Sequence, residues 1–248
     1  MKKFRADLHV HTVLSPCAEI EMQPPLIINE AVRKGIDLIA ITDHNASANV
    51  EAVQKAAKGT NVTVLPGIEL QTKEEVHVIC IFDTYEQIRE FQTFVDAHLP
   101  RIKNNPEYFG EQLIVDEFGD FIGNKENLLI TSTSISFEEA HKKVSELGGL
   151  FIPAHINRKA NGLIEVLGFI PQNIPLIAVE ISSHLSVHQA KENYPQIGSY
   201  AIIQNGDVHR LADFIGSTVF EINEPTINEI RLALQNQSNR KYLVENTI

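Results

Sequence analysis

The feature that most constrains this chain is a rhythm. Short, continuously apolar runs recur along it, and most are separated by amphipathic segments. Residues 4–11, 36–42 (IDLIAIT), 62–65, 76–82 (VHVICIF), 150–153, 176–181 and 200–204 read as strands. The runs at 24–35, 47–58, 84–99, 136–147 and 226–235 read as helices. Pro24 and Gly35 mark the start and stop of the first of these. Ile88, Phe91, Phe94 and Val95 line one face of the third. Ser136 with Glu139 three residues on makes a capping box for the fourth. Apolar strands alternating with helices predict an α/β fold with a parallel sheet covered on both faces. The segment 100–131 breaks the rhythm, being polar, aromatic and glycine-containing. It is expected to be an excursion with a small hairpin, inserted in a single domain spanning 1–248.

A chain of 248 residues, 43% hydrophobic and 21% charged, can bury about 70–75% of its unfolded surface without staples. Cys17 and Cys80 are its only cysteines, so no disulfide framework is indicated. Cys80 alternates with Ile79 and Ile81 and reads as core packing. The opening MKKFRADLHVHT has no apolar stretch of the signal-peptide kind. No run approaches the ~20 apolar residues of a membrane span, so a cytoplasmic protein without a membrane partner is expected. Lys+Arg 21 against Asp+Glu 32 gives a net charge of −11. Such a surface repels a phosphate backbone, which disfavours long nucleic acid as a partner.

The polar residues are placed as unevenly as the apolar ones. In Asp7-x-His9-x-His11 a period of two puts three side chains on one strand face, near its C-terminal end. In parallel α/β folds that end carries the chemistry. Asp43-His44 follows the second strand. Pro66-Gly67 leads from the third into Glu69. His77 lies in the fourth. His155 follows 150–153, and Asp207-x-His209 follows 200–204. Six of the ten histidines therefore sit beside apolar strands. Burying them unpaired costs several kcal/mol, which a metal repays. Imidazole with carboxylate suits Zn, Mn or Fe(II). His9, His11, His44, Glu69, His77, His155, Asp207 and His209 are too many ligands for one ion and suit two or three. His98, His141 and His188 read as ordinary helix residues, and Glu74 and Glu75 as a solvated turn.

In this order, DLHVHT, ITDHN, PGIE, HVICIF, PAH and NGDVH resemble the PHP (polymerase and histidinol phosphatase) family of metal-dependent phosphoesterases. The resemblance runs from Ala6 to about Arg210. It implies a distorted TIM-like (β/α)7 barrel with two to three divalent metals at the C-terminal mouth. It assigns His9, His11, Glu69 and Asp207 to one metal. Glu69 would bridge to a second, completed by His77 and His155, and His44 and His209 would serve a third. Asp7 and Asp43 would orient imidazoles from behind. Family members often place a histidine six residues after the second; here that position is Cys17. A Cys17 thiolate would favour zinc, with Glu19 or Glu21 as substitutes.

The implied activity is hydrolysis of a small phosphorylated metabolite or nucleotide phosphomonoester. Metals bridged by a carboxylate lower the pKa of bound water and neutralise phosphate oxygens. Glu69, Asp207 and Arg158 are the expected catalytic residues. Arg158 is placed to hold phosphate, ahead of Arg210. His184, after the strand at 176–181, is a candidate substrate contact or leaving-group acid. Tyr108 and Phe109 mark the excursion as a lid or specificity element able to stack on a base. Two other enzyme classes stay open: a nuclease acting on nucleic-acid ends, and an amidohydrolase-like C–N hydrolase. The latter usually bridges its metals through a carboxylated lysine, and no lysine lies at a strand end here. A barrel used only for interaction should have lost ligands, and this chain keeps eight.

Overall fold

The computed structural model describes residues 1–245. Its strands are β1 (Lys2–Val10), β2 (Leu38–Ile41), β3 (Thr63–Gln71), β4 (His77–Ile81), β5 (Leu113–Val115), β6 (Phe121–Asn124), β7 (Leu150–Pro153), β8 (Ala178–Ile181), β9 (Ala201–Gln204), β10 (Thr218–Ile222) and β11 (Lys241–Val244). Seven form one curled sheet in the order β11-β10-β1-β2-β3-β4-β7, and β8-β9 form a separate parallel pair. The architecture is α/β, a distorted TIM-like barrel. Its interior is apolar: Leu8, Leu38, Leu65, Ile79, Ile152 and Phe220 are buried in one cluster. The helix Ile227–Leu234 closes that cluster with Ile227, Ile230 and Leu234. Among the described residues no helix is long and apolar enough to cross a membrane.

The sheet departs from the all-parallel expectation. β1, β2 and β3 are parallel, joined through the helices Pro24–Arg33 and Val50–Ala56. β3–β4, β4–β7, β1–β10 and β10–β11 are antiparallel. For β3–β4 the reason is connection length. A parallel return needs a crossover of a dozen or more residues, whereas only 72–76 separate β3 from β4. β3 also does not stop at Pro66-Gly67 but runs on to Gln71. Gly67 is required there by close approach. A Cβ would lie 2.9 Å from Thr42 Cγ2 and 3.0 Å from the Cys80 carbonyl oxygen. β10 and β11 lie beyond the stretch in which the sequence showed strands.

The β8-β9 pair closes the curl through isolated contacts rather than ladders. On one side Ile156 N–H donates to the Glu180 carbonyl at 2.9 Å. On the other, Thr218 Oγ1 accepts from Gln204 N–H (3.0 Å) and donates to its carbonyl (2.9 Å). Tyr242 OH accepts from Ile202 N–H at 3.1 Å.

The excursion does contain a hairpin, β5–β6. Gln112 braces it, donating to the Lys125 and Asn127 carbonyls and accepting from Leu129 N–H, each at 2.8 Å. It docks on the loop after β1, with Leu113 N–H donating to the Val13 carbonyl at 3.0 Å. Glu74 is not merely solvated: it accepts Phe137 N–H (2.9 Å) at the start of the helix Phe137–Glu146, whose capping box is present as read.

Candidate metal centre

The candidate ligands lie on or just after six strands, β1, β2, β3, β4, β7 and β9. His9 and His11 come from the end of β1, where a register shift between Asp7 and Val10 breaks the two-residue period. The shift separates Asp7 from the pair. His44 follows β2 and is bridged to Glu69 of β3. His77 opens β4. His155 follows β7 in a left-handed backbone conformation (φ 27°), and Asp207 follows β9 in another (φ 49°). Such conformations in non-glycine residues are costly and concentrate at functional sites. The Asp207-x-His209 stretch is therefore not an extended strand with its side chains on one face. The loop bends, and His209 Nδ1 donates to the Asp207 carbonyl at 2.8 Å.

Glu69 is the hub. Its Oε1 lies 2.8 Å from His77 Nδ1 and 3.2 Å from both His9 Nε2 and His155 Nε2. Its Oε2 lies 2.9 Å from His44 Nδ1 and 3.4 Å from His11 Nε2. Successive imidazoles form a closed circle around it: His9, His11, His44, His77, His155 and back to His9, with ring centroids 4.6–5.8 Å apart. His209 stacks on His11 from outside at 4.1 Å. Asp207 Oδ1 approaches His9 Nε2 at 3.3 Å and His11 Nε2 at 3.4 Å.

This packing reshapes proton affinities. Burial alone would raise the Glu69 carboxyl, but the charges of His77, His9 and His44 hold it well below the usual range. Burial would lower His9, yet Glu180, Glu69 and Asp207 push it well above the usual imidazole value. His11 is pushed well below, first by burial and then by repulsion from His209. Desolvation pushes the Cys17 thiol up, but His44 and His209 beside it bring it down to about 6.

The polar atoms themselves test whether cations fit. Among the described residues seven buried side-chain N or O atoms lack a hydrogen-bond partner. Six are here: His9 Nε2, His11 Nε2, His44 Nδ1, Glu69 Oε2, His155 Nδ1 and Asp207 Oδ1. Each would cost about 1–3 kcal/mol if nothing met it. Donor atoms around one tetrahedral ion, each ~2.1 Å from it, sit ~3.4 Å apart. The separations of His9 and His11 Nε2 from the Glu69 and Asp207 oxygens, 3.2–3.4 Å, match that spacing. Donor triads also form from His11, His44 and His209, and from His44, Glu69 and His77. His77 differs in having both nitrogens engaged, Nε2 accepting from Asn161 Nδ2 at 2.9 Å.

The surroundings sort the remaining candidates. Arg158 pairs with Asp207 at the rim. A cavity of about 640 Å³ beside the cluster is lined by Arg158, His184, Arg210, Asp207 and His209. His184 is thus at the mouth but outside the cluster. Cys17 is exposed, with its sulfur against His44 and His209. Glu19 lines the cavity, whereas Glu21 accepts Leu211 N–H at 3.2 Å. Asp43 reaches an imidazole indirectly. It accepts from Ser15 Oγ (2.7 Å), which lies 2.9 Å from His11 Nδ1. Asp7 is not placed as expected. It accepts backbone N–H groups of Gly206 (2.9 Å), Ile215 (3.1 Å) and Gly216 (3.3 Å), so it holds loops rather than rings. The carboxylate beside the His9 ring is Glu180, 3.1 Å from Nδ1, which sequence reasoning passed over. Its signal was a charged residue inside the apolar strand AVEI, buried at 1% exposure. His98, His141 and His188 lie away from the cluster, and Cys80 is buried in the core.

Residues 7–166 match the PHP domain, and the chain belongs to that family of metal-dependent hydrolases. It is 25% identical to the uncharacterized Bacillus subtilis protein YqxK, over 98% of this chain and 65% of that protein. A 5′-3′ exoribonuclease of Haemophilus influenzae is 26% identical over 29% of this chain and 27% of its own length. The fold is similar to that of the lesion-specific endonuclease PfuEndoQ of Pyrococcus furiosus. The TM-score is 0.73 at 22% identity, covering 97% of this chain and 58% of the endonuclease. The chain thus spans about three-fifths to two-thirds of the length of YqxK and PfuEndoQ.

Proposed function

We propose that this chain hydrolyses a phosphate ester at the barrel mouth, using two to three divalent cations held by His9, His11, His44, Glu69, His77, His155, Asp207 and His209. The carrying observation is a set of six unpartnered, buried side-chain N and O atoms, among which His9 Nε2, His11 Nε2 and His44 Nδ1 lie 2.9–3.4 Å from oxygens of Glu69 or Asp207. Divalent cations bound there supply Lewis acidity and lower the pKa of water. Glu69 reaches His77 and His44 with its two oxygens, so it would be the carboxylate able to serve more than one cation. Cys17, whose sulfur faces His44 and His209, would join them as a ligand to a further cation. Arg158, next to Asp207 and half-exposed, turns its guanidinium to a phosphate oxygen. His184, also lining this cavity, would contact the leaving group.

The net charge of −11 favours a small phosphorylated metabolite or mononucleotide. A second reading is cleavage of a phosphodiester within nucleic acid. It is favoured by the fold shared over 97% of this chain with PfuEndoQ, and Endonuclease Q has been seen bound to a 27-mer duplex with an abasic lesion. One experiment addresses both. Metal content of the purified protein is measured, then phosphate release from a metabolite panel and cleavage of plain and lesion-bearing strands across salt concentrations. Phosphate release from small esters with little salt dependence supports the first reading. Strand cleavage that weakens steeply with salt supports the second. Wild-type protein with neither metal nor either activity defeats the proposal, as does a His9→Ala variant that keeps both.

A further inference from the structure

We propose that Glu180 is a positioning residue that holds three ligand-bearing segments in register, an inference that rests on the metal-centre reading above. The carboxylate is buried in β8 at the seam where the barrel lacks a ladder to β7. Three donors converge on it. His155 N–H reaches Oε2 at 2.8 Å, Asn205 Nδ2 reaches Oε1 at 2.7 Å, and His9 Nδ1 lies 3.1 and 3.2 Å from the two oxygens. Asn205 in turn accepts Leu8 N–H at 2.8 Å, tying the chain just before Asp207 to the chain just before His9.

Each contact does something a hydrophobic or neutral residue would not. Accepting from His9 Nδ1–H leaves Nε2 as the free lone pair, aimed at Glu69 and Asp207. Accepting from His155 N–H supports the left-handed turn that swings this imidazole back toward Glu69. Accepting from Asn205 anchors the loop that delivers Asp207. The donors are divided between the two oxygens, so the position needs a group that only accepts. A glutamine must point its amide N–H₂ at one donor whichever way it is turned. An aspartate keeps both acceptors but is shorter.

The test is metal affinity of the whole protein, measured by competition with a chelator on zinc-loaded material. Glu180→Gln and Glu180→Ala are expected to bind at least one zinc equivalent ~10–100-fold more weakly than wild type. Glu180→Asp is expected to recover part of that loss. Glu229→Gln serves as the control, since Glu229 also accepts several donors, from Asn223 and Arg240, but stands apart from the cluster. It should lower thermal stability and leave zinc affinity unchanged. Folded Glu180→Gln that binds zinc with wild-type stoichiometry and affinity overturns the proposal. Should the variants fail to fold, nitrogen NMR of zinc-loaded wild type decides. His9 with a protonated Nδ1 and a metallated Nε2 supports it, and the reverse overturns it. Wild type that binds no divalent metal fails at the first measurement and overturns the underlying reading as well.

Discussion

The two halves of the ligand circle are built differently. His11, His44, Glu69 and His77 sit on or immediately after β1–β4, which are laddered to one another apart from one register shift in β1. Asp207, His209 and His155 sit on loops after β9 and β7, where the sheet is interrupted. On the first side strand register places the side chains, and backbone hydrogen bonds carry the load. On the second side the same job falls to buried polar side chains: Glu180, Asn205, Asp7 and Thr218. Both loop-borne residues with positive φ in the circle, His155 and Asp207, belong to this second side. A ladder tolerates the loss of one side chain, whereas a network whose members satisfy each other does not. The first side should therefore be robust and the second fragile.

The largest expected effect falls on the hub that both halves share. Glu69→Gln keeps the size but removes the charge that five imidazoles face. Bound metal should fall by at least one equivalent and phosphoester hydrolysis to near background, by metal analysis and single-turnover assay. Retained metal would mean that the two halves assemble without their common carboxylate.

Next comes pH. In the metal-free protein His9 and His44 are held well above the ordinary imidazole value: burial opposes this, but Glu180 and Glu69 beside His9, and Glu69 and Cys17 beside His44, outweigh it. Both are therefore protonated near neutrality, and a cation must displace those protons. Affinity should rise with pH, by roughly tenfold per unit for each proton released between about pH 6 and 8. Titration by calorimetry in buffers of different ionisation enthalpy counts the protons. An affinity flat across that range would contradict the crowded geometry.

On the laddered side, Ser15→Ala removes the group behind His11 Nδ1. Zinc affinity is expected to fall by less than about tenfold, below the range expected for Glu180→Gln, because β1 still aims the ring. A loss as large as that for Glu180→Gln would erase the distinction between the halves.

The smallest effects come from a matched pair, read by denaturant unfolding. Gly67→Ala forces a Cβ against Thr42 and the Cys80 carbonyl, an overpacking that costs about 1–3 kcal/mol. Thr218→Val leaves the Gln204 N–H and carbonyl without their hydroxyl partner, again about 1–3 kcal/mol. Only Thr218→Val should also loosen metal retention, because β9 leads into Asp207. Equal metal retention in the two variants would count against the fragile side.

The same division explains what could be read in advance. His9, His11, His44, Glu69 and His77 follow or lie in apolar runs, and period and position are local properties. His155, Asp207 and His209 were legible as candidates because they too follow strands. Their geometry was not, since it depends on bends that no local pattern encodes. The antiparallel β3–β4 pair was missed because Pro66-Gly67 looks like a stop, and only its neighbours Thr42 and Cys80 show why glycine continues the strand there. Asp7 was assigned to the wrong task because a register shift, invisible in the spacing, turned it away from the histidines.

Residue order by itself determined that the chain alternates strands and helices, that imidazoles and carboxylates collect at strand ends, and that these are ligand-type residues in a number suited to more than one cation. Those are consequences of composition and short-range period. Tertiary structure alone decided that Glu69 stands at the centre of the circle. It also decided that Glu180 rather than Asp7 faces His9, and that the β8-β9 pair closes the barrel through side chains. Most of those contacts join residues far apart in the chain, up to more than 190 positions for Leu8 with Asn205 and Asp7 with Gly206. Burial removes water as their alternative partner, so the folded chain itself selects which polar groups must meet.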